Sequence, residues 1–187
     1  MADAQTPQGL LAVCRIPVAD LDEVLAAGPR VVGVLAHVRD PGNAGTVIRA
    51  ADAAGADAVV VSDGSVDAYA PKVVRSTAGS LFHLPVVSGM PVPAIVERLR
   101  ASGLTVLAAD GAGDRTVDEA DLGRPHAWLF GNEAWGLTAE DRALADEIVR
   151  VPLHGRAESL NLAMAATVCL YASARHRTGS ADRATGP

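Results

Sequence analysis

The chain has 187 residues, 49% of them apolar, and carries 22 acidic against 16 basic side chains for a formal net charge of −6. That size and apolar content suit one ordinary domain with a real core and exclude a largely disordered chain. The acidic balance excludes a broad electrostatic grip on nucleic acid, so any RNA contact must be local.

No apolar run reaches the roughly 18 residues of a membrane span, and residues 1–9 lack both parts of a signal peptide, which predicts a cytoplasmic protein. Cys14 and Cys169 have no zinc-type spacing and are read as small buried hydrophobes in a reducing compartment.

Short, mostly apolar runs at 30–36, 58–62, 104–109, 128–130 and 148–151 read as strands buried on both faces, the pattern of a parallel sheet. Helical segments are predicted between them at 44–54, 71–78, 93–102 and 138–145, the first three ended by Gly55, Gly79 and Gly103. Strand and helix alternate, which predicts an α/β layered domain.

The last helix, roughly 159–175, is expected to bury a broad face. Leu160, Met164, Val168 and Tyr171 form one stripe, with Ala163, Thr167 and Leu170 beside it. Residues 111–123 read as a loop. The ends, 1–9 and 178–187, are rich in small and polar residues and are expected to fray around a single domain of 10–177.

Three segments carry chemistry, each following a strand. In the first, His37 to Asp52, Pro41-Gly42 makes a turn, Asn43 is the expected helix cap, and Val47, Ile48, Ala51 and Ala54 form the buried stripe. Arg49 falls off that stripe and can reach back over the strand ends, where open α/β sheets bind ligands. The competing reading pairs Arg49 with Asp52 on a solvated face.

In the second segment, Phe130-Gly131-Asn132-Glu133-Ala134-Trp135-Gly136-Leu137, Gly131 lets backbone approach a ligand and Glu133 puts a carboxylate near the same mouth. The plain alternative is an acid favoured by a helix start. In the third, Val151-Pro152-Leu153 to Asn161, the proline forces an extended turn whose main-chain groups can read a planar ring edge. Ser159 is the expected cap of the last helix, Leu160 can cover a ring, and Asn161 offers an amide.

In this order the three segments closely resemble the signature motifs of the SpoU (TrmH-like) branch of the SPOUT RNA methyltransferases, which methylate a ribose 2′-hydroxyl with S-adenosylmethionine. The resemblance runs from about Val31 to Ala172. It implies a parallel sheet flanked by helices with a C-terminal trefoil knot, although general topology rules argue against knots. It also implies a homodimer with active sites beside the subunit interface.

By the same resemblance, Asn43, Arg49, Glu133, Ser159 and Asn161 surround the methyl acceptor. Ala108, Gly131, Asn132, Val151, Leu153 and Leu160 are assigned to the cofactor. Arg49 is assigned to RNA as well. Lys72 and Arg75, three residues apart on a predicted helix, add a candidate phosphate strip whose plain alternative is a solvated face. No metal is expected, since no ligand cluster is visible.

Many family members carry an additional N-terminal RNA-binding domain, which here leaves two expectations open: a minimal member, or a piece of something longer. A dinucleotide-binding oxidoreductase is set aside, because no Gly-x-Gly-x-x-Gly follows the first strand. An inactive RNA-binding module would have lost the site residues, and all of them are present. Ribosomal RNA is preferred to transfer RNA as substrate, on the form of the second motif.

Overall fold

Parallel strands stack in the order β3-β2-β1-β6-β4-β7-β5, a seven-stranded sheet among the described residues of this computed structural model, which are 9 and 12–184. The strands are β1 (Val31–Leu35), β2 (Ala58–Ser62), β3 (Val86–Met90), β4 (Thr105–Ala109), β5 (Arg115–Thr116), β6 (His126–Phe130) and β7 (Glu147–Arg150), every pairing parallel. The helices are α1 (Leu21–Ala26), α2 (Pro41–Ala53), α3 (Pro71–Thr77), α4 (Val92–Ala101), α5 (Ala139–Ala143) and α6 (Leu162–Ala184), with a single 3-10 turn at Ser80–Phe82.

The sheet divides two cores, because successive side chains on a strand point to opposite faces. Val59 and Val61 of β2, Leu107 of β4 and Trp128 and Phe130 of β6 face α2, α3 and α6. Ala58 and Val60, Val106 and Ala108, and Ala127 and Leu129 face α1 and α4. Strands buried on both sides need continuous apolar sequence, which is why β1, β2, β4 and β6 were legible.

The elements that were not predicted are the weakly patterned ones. β3 ends in Ser88-Gly89-Met90, with Gly89 at φ +88°, and turns half exposed. β5 is two residues long, lies in the expected loop and pairs with β7 at the sheet edge. α1 is six residues capped by Asp20, whose side chain accepts from the Asp22 amide at 2.7 Å.

Two helix caps differ from expectation. α2 starts at Pro41, so its cap is Asp40, which accepts from the Asn43 amide at 2.7 Å. α6 starts at Leu162, capped by Asn161 through the Ala163 amide (2.9 Å), so Ser159 caps nothing. In both cases the true cap lies where its oxygen meets the second or third helical amide.

The expected buried stripe of α6 is also corrected. Met164, Val168 and Tyr171 are 37–52% exposed and Leu160 is 39% exposed, whereas Ala163, Ala166, Cys169, Leu170, Ala172 and Ser173 are buried. Small residues let the helix axis approach the sheet and turn the larger side chains outward. Cys14 is exposed, contrary to expectation, and Cys169 is buried, its thiol pushed up to about 12 by desolvation. The expected frayed ends lie outside the described residues, apart from Gly9 and the helical backbone that carries α6 on to Ala184.

A buried polar network pins α6 to β6. His126 Nε2 and Trp128 Nε1 both meet Ser173 Oγ, at 2.7 and 2.9 Å, and His126 Nδ1 lies 2.7 Å from the Arg124 carbonyl. Desolvation holds His126 below the ordinary histidine value of 6.5, so the neutral ring belongs to the fold and the unfolded chain takes the proton first. Its stabilising contribution is therefore present above about pH 6.5 and is lost as pH falls below it. Denaturant titrations at pH 7.5 and 5.5 should show stability falling with acid, and falling less in His126→Gln. Equal slopes in the two proteins would discard the assignment.

Candidate active site

The loops that leave β4, β6 and β7 at their C-terminal ends form one open cleft of about 390 Å³. That is the end of a parallel sheet where ligands bind. Gly131, Asn132 and Trp135 line it from the second motif; Val151, Leu153, Ser159 and Leu160 line it from the third. The expected convergence of these two loops is therefore present.

The second loop is a closed turn. Asn132 and Gly136 exchange two backbone hydrogen bonds (2.8 and 2.9 Å), and the Asn132 side chain accepts from the Ala134 amide and donates to the His37 carbonyl at 2.7 Å. A Cβ on Gly131 would collide with the backbone of Gly136 and Leu137. Glycine at 131 thus admits the chain's own turn, a different reason from the close ligand approach expected of it.

Glu133 joins the second motif to the first. Its carboxylate accepts from the Arg39 and Asp40 amides (3.2 and 3.0 Å) and from Asn43 Nδ2 at 3.4 Å. Asn43 Oδ1 in turn accepts from Asn161 Nδ2 at 3.1 Å, which brings in the third motif. Asn43, Glu133 and Asn161, separated by up to 118 residues, are one hydrogen-bonded chain of side chains. A supporting strain sits beside it: His37 adopts φ +56°, rare for a residue with a side chain, and its Nε2 lies 3.3 Å from Asp141.

Two expected site residues lie elsewhere. Ala108 is fully buried on the α4 side of the sheet and does not line the cleft; its neighbours Ala109, Asp110 and Gly111 do. The period of two along β4 turns one alanine away and the next inward. Arg49 is exposed on α2 and is not among the cleft-lining residues. The alternative pairing with Asp52 is not made either. Asp52 is 2.8 Å from His83 Nδ1, and hydrogen bonds from Ser80 and His83 hold its carboxyl below the usual range. Lys72 and Arg75 are both exposed on α3, away from the cleft lining.

Sequence reasoning missed Asp110, Arg142, Glu158 and Trp135 as lining residues. Arg142 Nε lies 3.2 Å from Asp110 Oδ2 across the cleft floor. Nothing in the local pattern marks either residue, because they meet only through the β4–β7 pairing. Trp135 had a signal, a large aromatic ring set among turn residues.

For a cofactor with a planar ring, the fit is good. Leu153, Glu158, Ser159 and Leu160 line the cleft and their backbone amides make no hydrogen bond among the described residues, which leaves donors for a ring edge, with Leu153 and Leu160 as apolar walls. Among the described residues no group of three histidine, cysteine or acidic side chains is placed to hold a metal, and no helix is long and apolar enough to cross a membrane.

Comparison with known proteins gives the same outline. The sequence model of the SpoU rRNA Methylase family matches residues 30–171. The 23S rRNA (guanosine(2553)-2′-O)-methyltransferase RlmP of Bacillus subtilis is 42% identical over 171 residues, covering 91% of this chain and 66% of that protein. The 23S rRNA (uridine(2479)-2′-O)-methyltransferase of Streptomyces viridochromogenes is 39% identical, covering 98% of this chain and 65% of that protein. The crystal structure of the SpoU methyltransferase AviRb from the same organism, in complex with AdoMet, superposes with a TM-score of 0.78 at 41% identity, covering 87% of this chain and 66% of that one. The chain thus spans a little under two thirds of the length of these two relatives.

Proposed function

This chain belongs to the SpoU rRNA methylase family, and from that premise we propose that it methylates a ribose 2′-hydroxyl of ribosomal RNA, with S-adenosylmethionine as methyl donor. The observation that carries the reading is the single cleft lined by Gly131, Val151 and Leu160, to which Asn43 of the first motif is tied through Glu133 and Asn161. The 23S rRNA named for the relatives supports ribosomal over transfer RNA and favours an active enzyme over an inactive module.

The cofactor supplies a methyl group on a sulfonium, an electrophile that needs no metal. The backbone amides of Leu153, Ser159 and Leu160 and the walls of Leu153 and Leu160 would hold its adenine, with Gly131, Asn132 and Val151 completing the cradle. On the acceptor side, Asn43, Ser159 and Asn161 offer groups to orient the sugar, and Glu133 holds the turn of the first motif in place. A guanidinium offers hydrogen-bond donors and no acceptor, so Arg49 would stabilise the alkoxide that develops as the hydroxyl oxygen takes the methyl group, the donor sulfur leaving as a neutral thioether and the hydroxyl proton passing to water.

Three finer readings accompany this one. A trefoil knot is supported by the course of the chain after β7: Arg150 is gripped by the Gly113 and Asp114 carbonyls of the preceding loop, and α6 then crosses back to pack on α2 and β6. A homodimer is supported by the exposed stripe of Met164, Val168 and Tyr171, which a second copy would cover. Sedimentation of a monomer at micromolar concentration would remove the dimer. An RNA strip at Lys72 and Arg75 is supported by the exposure of both side chains, three residues apart on α3. The cytoplasm, where ribosomes are assembled, is the compartment this function calls for.

Calorimetry with S-adenosylmethionine, followed by transfer of labelled methyl to ribosomal RNA, tests the proposal. One-to-one binding per chain and an alkali-resistant 2′-O-methyl nucleotide are expected. Binding of RNA without any uptake of the cofactor would restore the inactive-module reading.

A further inference from the structure

Trp135 is 51% exposed at the cleft mouth, while the other tryptophan of the chain, Trp128, is buried. Half of the indole stays in water, a part that packing within the fold does not use. Yet its placement is rigid: the Asn132–Gly136 turn that carries it is closed by two backbone hydrogen bonds and by the Asn132 side chain. The Arg39 guanidinium lies 5.3 Å from the ring centroid, and the Arg39 amide is held by Glu133, the residue two positions before Trp135. One carboxylate and one turn therefore hold both members of a cation–π pair in register.

We propose that Trp135, backed by Arg39, is the platform on which the base of the target nucleotide stacks, so that the substrate is a nucleotide whose base is unpaired and unstacked. This rests on the methyltransferase reading above. Proteins read RNA sequence mostly at loops and bulges, where splayed bases stack on aromatic rings and arginine planes. The charge of the chain points the same way. With a net charge of −6, phosphate contacts must be local, and a stack on an aromatic face adds affinity that needs no basic surplus. The base completes the stack on the indole face that Arg39 leaves open, which sets its ribose at the cleft mouth lined by Gly131 and Leu160.

The test uses the full chain, S-adenosylmethionine and a ribosomal RNA fragment that the wild type methylates. Trp135→Ala should raise KM for RNA roughly 5- to 150-fold. Trp135→Phe should recover most of that loss. Cofactor affinity, sedimentation and the slope of log K against log salt should stay as in the wild type, because no phosphate contact is removed. In the wild type, saturating RNA should quench the exposed tryptophan fluorescence, and a fragment with the target base paired in a duplex should not. An unchanged KM in Trp135→Ala, with the wild type active, overturns the stack alone. Loss of cofactor affinity or of the dimer in the same variant also overturns it, by assigning the ring to the cradle or to the interface. A wild type that takes up no S-adenosylmethionine overturns both this inference and the reading beneath it.

Discussion

Arg49→Ala is expected to lower kcat for RNA methylation by roughly 10²- to 10³-fold, the usual loss when one donor to a developing oxyanion is removed. The affinity for S-adenosylmethionine should stay within about twofold, because Arg49 does not line the cleft. Arg49→Lys keeps the charge but not the planar fork, and should fall between the two. Calorimetry and single-turnover assays on the same preparations separate the terms. Full activity in Arg49→Ala would take the guanidinium out of the chemistry.

The position of Arg49 outside its own cleft adds a second arm to that experiment. If active sites lie beside a subunit interface, the guanidinium can meet the acceptor from the partner subunit. Mixing Arg49→Ala with a cofactor-blind variant such as Leu160→Asp would then restore roughly a quarter of wild-type activity, the share of competent sites in a random mixture of dimers. No recovery on mixing, with heterodimers shown to form, would mean that Arg49 serves the site of its own chain.

The second large effect is expected at Gly131. Alanine there forces a methyl group into the Gly136–Leu137 backbone, which cannot yield without opening the Asn132–Gly136 turn. Overpacking of that kind costs about 1–3 kcal/mol, or a fall in Tm on the order of 3–10 °C for a chain of this size. A turn displaced by even one lost hydrogen bond should weaken cofactor binding by roughly tenfold. Wild-type affinity with a lowered Tm would show that Gly131 serves folding alone. The reverse result would return it to direct contact with the ligand.

These two residues mark where local reading succeeds and where it stops. The apolar runs of β1, β2, β4 and β6 were legible because a strand buried on both faces must be apolar along its whole length. Weakly patterned elements were not: β3, β5 and α1 are short, half exposed or edge-bound, and their pairing partners are distant. Helix caps were assigned to the right neighbourhood and the wrong residue. Asp40 and Asn161 took the places expected of Asn43 and Ser159, since the choice depends on where the first helical amides point.

By itself the sequence determined the alternation of strand and helix, the three motif loops and the polar residues they carry, because each depends on neighbours a few positions away. Only the tertiary structure decided that Ala109 and not Ala108 faces the cleft, that Asp110 meets Arg142, and that Met164, Val168 and Tyr171 of α6 lie outside the core. Each of those facts depends on the rotation of a helix or the register of a strand against an element far along the chain. Local spacing leaves that rotation undefined, and close packing of the two layers selects it.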